Sequence, residues 1–321
     1  MNTTAQRLLL TFATGSLVGS GFVIAKLLLN AGASQTAMSF VQFVGAAAVL
    51  VAALKLRGGR VPMDAMMLRY FVTSALIGVL AVPLLGNWVL ARIPTGIFTV
   101  LVTLSPMFTT LFNTLLDRRL PAMSTIAGTS LGLLGVALVL VPRAQAVEAE
   151  QALALLVSLG VPMLLAVGNV YRSRRWPQGL GAPAASAGTL LMQSALLALL
   201  FLGQTHGDVA TLAPLWPLWP LLVLLIATTV VANLAGSTLQ RVGGAAAYSQ
   251  IGYVIALTGI AASALLFGES LGALFWPALV LVFAGVVLAN RAPAAVAGAA
   301  SPSLRASAPS FAVAASALRP R

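Results

Sequence analysis

Residues 91–120 read ARIPTGIFTVLVTLSPMFTTLFNTLLDRRL, and residues 240–271 read QRVGGAAAYSQIGYVIALTGIAASALLFGESL. Each stretch opens at an Arg, passes through two or three turn-forming residues into an apolar run, and closes on a short polar break before Leu. Arg92 and Arg241 are 149 positions apart, Leu120 and Leu271 are 151 apart, and Gly135 and Gly285 are 150 apart. The chain reads as two copies of one unit. In a membrane protein, two such copies imply halves that rock against each other, hence transport more readily than catalysis.

The membrane assignment follows from composition. The 321 residues are 60% hydrophobic and 7% charged, against about 25% charged in a soluble domain. The charges cluster between long apolar runs, which is the pattern of a polytopic membrane protein. A net charge of +12 does not indicate nucleic acid, because the basic residues lie at the ends of apolar runs and not along one groove. With no Cys, disulfides and thiolate metal sites are excluded. His206 is the single His, so no His cluster is available, and neither a metal nor a cofactor is expected. The N-terminus imitates a secretory signal, with Arg7, an apolar run and Ala31-Gly32-Ala33. The run from Leu8 to Leu29 exceeds the roughly 7–15 residues of a signal core, and it reads as a first span.

A span needs about 20 mostly apolar residues. Ten are expected, at 8–29, 34–54, 67–90, 95–116, 122–141, 152–171, 182–203, 218–239, 245–267 and 273–290. The fold class is all-α, since helices satisfy their own backbone in lipid and the alternation of a membrane barrel is missing. With the N-terminus inside, fifteen of the 18 Lys and Arg residues fall in inner segments, two (Arg92 and Arg143) in outer ones, and Lys26 within a span. That bias places both termini in the cytoplasm. Five spans per repeat is an odd number, so the second copy is inverted relative to the first. The expected organisation is a first five-helix repeat at 8–141, an outer loop at 142–151, a second repeat at 152–290, and a disordered cytoplasmic tail at 291–321 rich in Ala, Pro and Ser.

The motifs around the repeat resemble the drug/metabolite transporter superfamily, in its EamA-type branch of ten-span proteins. Thr103-Leu104-Ser105-Pro106-Met107-Phe108 runs through Leu116-Asp117-Arg118-Arg119-Leu120 to Gly132 and Gly135, where the family shows a Pro-containing step, an L-G-E-R-L break and a Gly-containing last helix. Phe267-Gly268-Glu269-Ser270-Leu271 keeps the Gly-Glu pair, which Asp117-Arg118 replaces in the first copy. Gly19-Ser20-Gly21-Phe22-Val23 with Lys26 is similar to the family's first span without its Trp, and Gln42-Phe43 stands where Arg-Phe is common. The resemblance implies an exporter or facilitator of small molecules, often amino acids or related metabolites, in the cell's inner or plasma membrane. It also implies a cavity lined by spans one, three, four, six, eight and nine.

Several residues are candidates for the chemistry. Lys26 is the single formal charge within the apolar part of a span. Either it faces an aqueous cavity and attracts a substrate anion, or it snorkels, because it lies about 27 Å along the helix from Leu8. No Asp or Glu falls inside a span, whereas proton-coupled pumps and exporters of organic cations usually need one. A facilitator, or a carrier driven by the substrate's own gradient, is therefore expected, acting on neutral, zwitterionic or anionic solutes. Buried amides either line a wet cavity or tie helices together. Asn87 and Asn233 fall in equivalent third and eighth spans. Asn113 and Asn169 lie in spans that line the cavity in the resembled family. Tyr248 and Tyr253 are about 140° apart around a helix, so only one can face a cavity fully. Pro83, Pro106 and Pro162 lie inside spans, and Pro106, set against an unbroken Tyr253-Val254, is the hinge candidate.

Gly15 with Gly19, and Gly128 with Gly132 and Gly135, are small-residue faces for helix packing, the second also open to a dimer contact. The expected partners are a small-molecule substrate and membrane lipids, with the chain a monomer or homodimer. Two other readings stand beside the carrier: a membrane enzyme acting on lipid or prenyl substrates, and a lipid-flipping or scaffold subunit. Convergence of the in-span polar residues on one cavity discriminates them from a carrier.

Overall fold

A computed structural model describes residues 3–93, 98, 101–118, 120–144, 152–206, 208–267 and 273–291. Among these residues the chain is helical, with no strand. The helices are α1 (Thr3–Asn30), α2 (Gln35–Leu56), α3 (Ala65–Leu90), α4 (Ser105–Asp117), α5 (Met123–Ala144), α6 (Gly160–Arg174, led by a short Ala152–Ser158 segment), α7 (Ala182–Thr205), α8 (Trp219–Ser249, led by a tight 3-10 segment Val209–Leu218), α9 (Ile251–Phe267) and α10 (Phe275–Arg291). Six stretches are long and apolar enough to cross a membrane: α1, α2, α3, Leu156–Arg174, α7, and the stretch from Val209 to Ser249. They coincide with expected spans one, two, three, six, seven and eight. The tail at 292–321 and most of the loop at 142–151 lie outside the described residues, although α5 runs on to Ala144.

Local chemistry sets the helix ends. Ser34 Oγ accepts from the Ala37 N–H at the start of α2, and Asp64 Oδ1 accepts from the Met67 N–H at the start of α3, each meeting one orphan donor of a first turn. Arg118 and His206 adopt the left-handed conformation at the ends of α4 and α7 (φ 50 and 51). The single His is thus a helix terminator. Within α3 the turn widens to π geometry over Leu80–Gly86, around Pro83. Pro83 has no N–H for the ladder, and the Asn87 N–H bonds the carbonyls of Val82 and Leu84, bypassing Pro83. Gln35 Nε2 reaches across from α2 to the Pro83 and Leu84 carbonyls at 2.8 and 2.9 Å. Such bulges are frequent at functional sites.

The fourth and ninth expected spans are both interrupted. The chain turns at Thr103–Leu104 before α4 begins, and an i→i+3 bond joins the Leu104 N–H to Leu101. A turn residue, Gln250, separates Ser249 from Ile251, and the Tyr253 N–H bonds back to Gln250 in the same way. Two expectations change. Pro106 lies at the start of α4, where a missing N–H costs nothing, and not in mid-helix. The second copy, expected to be unbroken, has its own break three residues before Tyr253. At Gly244 (φ 71, ψ −171) α8 doubles back. Residues 236 and 248 would lie about 18 Å apart in a straight helix, yet a Cβ on Gly236 would lie 3.0 Å from the Tyr248 ring.

Glycines set the close crossings. Backbone and side chains of α9, at Ile251, Val254, Ile255 and Thr258, lie against Gly15 and Gly19 of α1. Gly128 and Gly132 of α5 meet Gly285 of α10 backbone to backbone. The face considered for a dimer is therefore occupied within the chain. Aromatic contacts gather at both ends of the bundle. Phe22 meets Phe98 edge-on and Phe40 stacks on Phe201 at one end, while Tyr70 packs on Tyr171 and Trp176 at the other. Outward-facing side chains such as Leu115, Leu199 and Val280 are exposed and apolar, as contact with lipid tails requires.

Candidate functional site

A cavity of about 220 Å³ opens among α1, α2, α3, the start of α4, α6, α7, α8 and α9. A water's share of liquid volume is about 30 Å³, so the cavity suits a small metabolite. α1 gives it an apolar wall from Leu17 to Ala25, about 12 Å along the axis. Six of the in-span polar residues converge on it: Gln42, Asn87, Asn169, Gln193, Asn233 and Tyr248. The participation of α2 and α7, through Gln42, Thr189 and Gln193, goes beyond the lining helices that the resemblance implied.

Each of these side chains is held by its neighbours. Asn87, at the end of the widened turn of α3, donates through Nδ2 to Ser39 Oγ at 3.1 Å. Gln42 Nε2 donates to Thr229 Oγ1 at 2.9 Å, and Thr229 itself donates to the Leu225 carbonyl. Asn233 Nδ2 donates to the Thr229 carbonyl at 2.9 Å. Gln193 is 7% exposed, and its amide lies over Gly78, where no Cβ competes for the space. Its Oε1 is buried without a hydrogen-bond partner among the described residues.

The charge in the cavity belongs to Arg172, a residue read from sequence as part of the inner topology cluster with Arg174 and Arg175. Arg172 lies in the last turn of α6, where the helix carbonyls favour a cation, and its guanidinium folds back over Gly168, which offers no Cβ. Nε donates to Gln240 Oε1 at 3.0 Å and an Nη donates to Asn169 Oδ1 at 3.1 Å, with the Tyr248 ring 5.6 Å away. Gln240, 4% exposed, is fixed through Nε2 to the Asn169 carbonyl and to Ser173 Oγ. Arg174 and Arg175 are exposed, and Arg174 pairs with Asp117 at 2.7 Å. The signal in the sequence was Gly168, four residues before Arg172 and hence on the same face.

Lys26, Asn113 and Tyr253 are not among the lining residues. Lys26 Nζ donates to the Leu90 carbonyl at the end of α3, 2.7 Å away. Lys26→Met is expected to lower thermal stability by up to about 2 kcal/mol, with substrate affinity unchanged in a binding titration. Asn113 Oδ1 accepts from Arg174 at 3.2 Å on an exposed face. Tyr253 is fully buried against Gly132, and its hydroxyl donates to the Thr129 carbonyl at 2.7 Å. Tyr248 is thus the member of the Tyr pair at the cavity. Tyr253→Phe is expected to cost about 0.5–1.5 kcal/mol of stability and to leave flux intact. Pro106 does not line the cavity, whereas its neighbour Ser105 does.

Comparison with known proteins bears on the whole arrangement. An inner membrane transporter of Escherichia coli K12, YedA, itself uncharacterized, is 29% identical over 259 residues, which are 78% of this chain and 80% of that one, and its counterpart in strain O157:H7 matches equally. A crystal structure of a protein 20% identical in sequence superposes with a TM-score of 0.69, covering 89% of this chain and 96% of the other. At that identity the likeness is one of fold. Residues 7–141 match the EamA-like transporter family, so this part of the helical bundle, which supplies several walls of the cavity, is similar to that family of membrane transporters.

Proposed function

We infer that the protein is a secondary transporter of the inner membrane, carrying amino acids or related neutral, zwitterionic or anionic metabolites by alternating access between two inverted five-helix repeats. The observation that carries this reading is the cavity, to which residues of both repeats contribute polar side chains and which has Arg172 as its charge. The inverted repeat is supported by which helices touch. A swap of halves exchanges α1 with α6, α3 with α8 and α4 with α9. Under that swap α1 against α8 becomes α6 against α3, and α1 against α9 becomes α6 against α4, and all four pairs are in contact. The pairs α2–α7 and α5–α10 map onto themselves and are also in contact. The paired interruptions at Thr103–Leu104 and Gln250 follow the same operation, and broken helices at a midplane site are a habit of such transporters.

The inner-membrane location follows the relative's description, and cytoplasmic termini follow the charge bias. Among the described residues, none that lines the cavity is Asp, Glu or His, which fits movement down the substrate's own gradient. Counterflow of labelled amino acids and carboxylates into proteoliposomes tests the reading. Saturable uptake above empty liposomes is expected, and its absence across the panel would remove the transport function. Uptake driven by a pH gradient at fixed proton stoichiometry would remove the facilitator mechanism alone.

A further inference from the structure

We propose that the cavity selects small monoanionic carboxylates carrying a hydroxyl over the amino acids of the same shape, with Arg172 as the anion ligand and Gln193 as the acceptor for the hydroxyl. The proposal rests on the transport reading for its site and deepens it by naming the substrate class.

Three observations carry it. First, Arg172 is bound by neutral amides alone. Two of its five N–H donors go to Gln240 Oε1 and Asn169 Oδ1, and the other three have no protein acceptor among the described residues. The ion pair among those residues is Arg174 with Asp117, at the exposed end of the same helix. A guanidinium whose free donors face a confined site is matched in charge and geometry by a carboxylate. Second, no acidic side chain lines the cavity among the described residues. A bound monoanion brings the site to neutrality, whereas a bound zwitterion leaves it with its original positive charge and adds an ammonium that no carboxylate meets. With no counter-charge for the ammonium among the described lining residues, that difference weighs against the zwitterion. Third, Gln193 Oε1 is a neutral acceptor, closed to water and without a partner among the described residues, on a side chain that lines the same cavity, so that a turn of its amide brings it to a ligand. A buried acceptor left empty costs stability until a donor arrives, and a ligand hydroxyl supplies one without adding charge.

Binding to the purified full-length chain in detergent, followed by isothermal titration calorimetry, tests the proposal with three probes on one carbon skeleton: 2-hydroxy-4-methylpentanoate, 4-methylpentanoate and leucine. The hydroxy acid is expected to bind at least ~10-fold more tightly than leucine, with 4-methylpentanoate between them. Arg172→Gln is expected to weaken both anions by ~10-fold or more, and Gln193→Met to bring the hydroxy and deoxy acids to equal affinity. Leucine binding as tightly as the hydroxy acid, no binding of any of the three, or Arg172→Gln with unchanged affinities would overturn it. The comparison of probes on the unaltered chain needs no variant to fold. The failure modes separate: the expected binding order without flux in proteoliposomes removes transport and keeps the recognition, and flux with leucine preferred does the reverse.

Discussion

Gly285→Leu is expected to prevent the protein from accumulating as a monodisperse species, read by size-exclusion chromatography of the detergent-solubilised chain. A Cβ at position 285 would lie 2.6 Å from both the Gly128 carbonyl oxygen and the Gly132 nitrogen, and 3.0 Å from the Gly132 Cα. All three are backbone atoms, so no rotamer change relieves the clash. The helices α5 and α10 would have to separate along their whole seam. In lipid this contact rests on packing, with no hydrophobic drive to restore it. Even Gly285→Ala is expected to cost about 1–3 kcal/mol. The control is Gly203 in α7, where a Cβ meets nothing within 4 Å. Gly203→Ala is expected to be neutral or to stabilise by up to about 1 kcal/mol, by stiffening the unfolded chain. A Gly285→Leu protein that elutes and melts like the parent would show that this seam does not hold the fold.

The second large effect is expected at Gln240, where two substitutions part company. Gln240→Glu places a carboxylate where the amide oxygen now accepts from Arg172 Nε at 3.0 Å. The guanidinium gains an internal counterion, and the site becomes neutral without a substrate. The variant is expected to lose about 1–3 kcal/mol of stability, because its second carboxylate oxygen faces the Asn169 carbonyl to which Nε2 now donates, and to lose anion binding and flux by ~100-fold, since the ligand must now displace a tethered carboxylate. Gln240→Leu removes three hydrogen bonds, from Arg172 and to Asn169 and Ser173, and leaves a partly buried cation with one amide partner. It is expected to be destabilised by about 1–3 kcal/mol, with any residual flux retaining its preference for anions. Proteoliposome uptake distinguishes the two. If the Glu variant carried anions normally, Arg172 would not be the group that attracts them.

How much of this was legible in the sequence depended on whether periodicity or side-chain reach decided the matter. The small-residue faces at Gly15/Gly19 and Gly128/Gly132 became helix contacts, because spacing on one face is a property of the helix itself. Asn87, Asn169, Asn233 and Tyr248 reach the cavity because a polar residue in an apolar span has few other places to go. Arg172 was hidden among three arginines whose common role, marking the inner ends, explained them all. Successive residues of a helix point about 100° apart, so Arg172, Arg174 and Arg175 serve different faces, and only Gly168 beneath Arg172 hinted at which one turns inward. Lys26 was open in the sequence between a cavity ligand and a snorkelling charge. A lone charge in a span suggests a ligand, yet its flexible stem lets it end at the nearest free carbonyl, that of Leu90. The interruption at Gln250 had no Pro to announce it, and Gly252, two residues on, was its weak local signal.

The two ends of the bundle are fastened differently from the way their polar contacts suggest. Thr36 donates to Gln204 at one end and Arg174 meets Asp117 at the other, both in exposed positions. Contacts of this kind contribute at most about 1 kcal/mol each, and added salt screens the ionic one. The aromatic clusters beside them, Phe40 on Phe201 and Tyr70 on Tyr171 and Trp176, hold through excluded water, whose release carries a heat-capacity change. Under the alternating access proposed above, the rate at which either end opens is expected to respond little to ionic strength, while its Arrhenius plot curves.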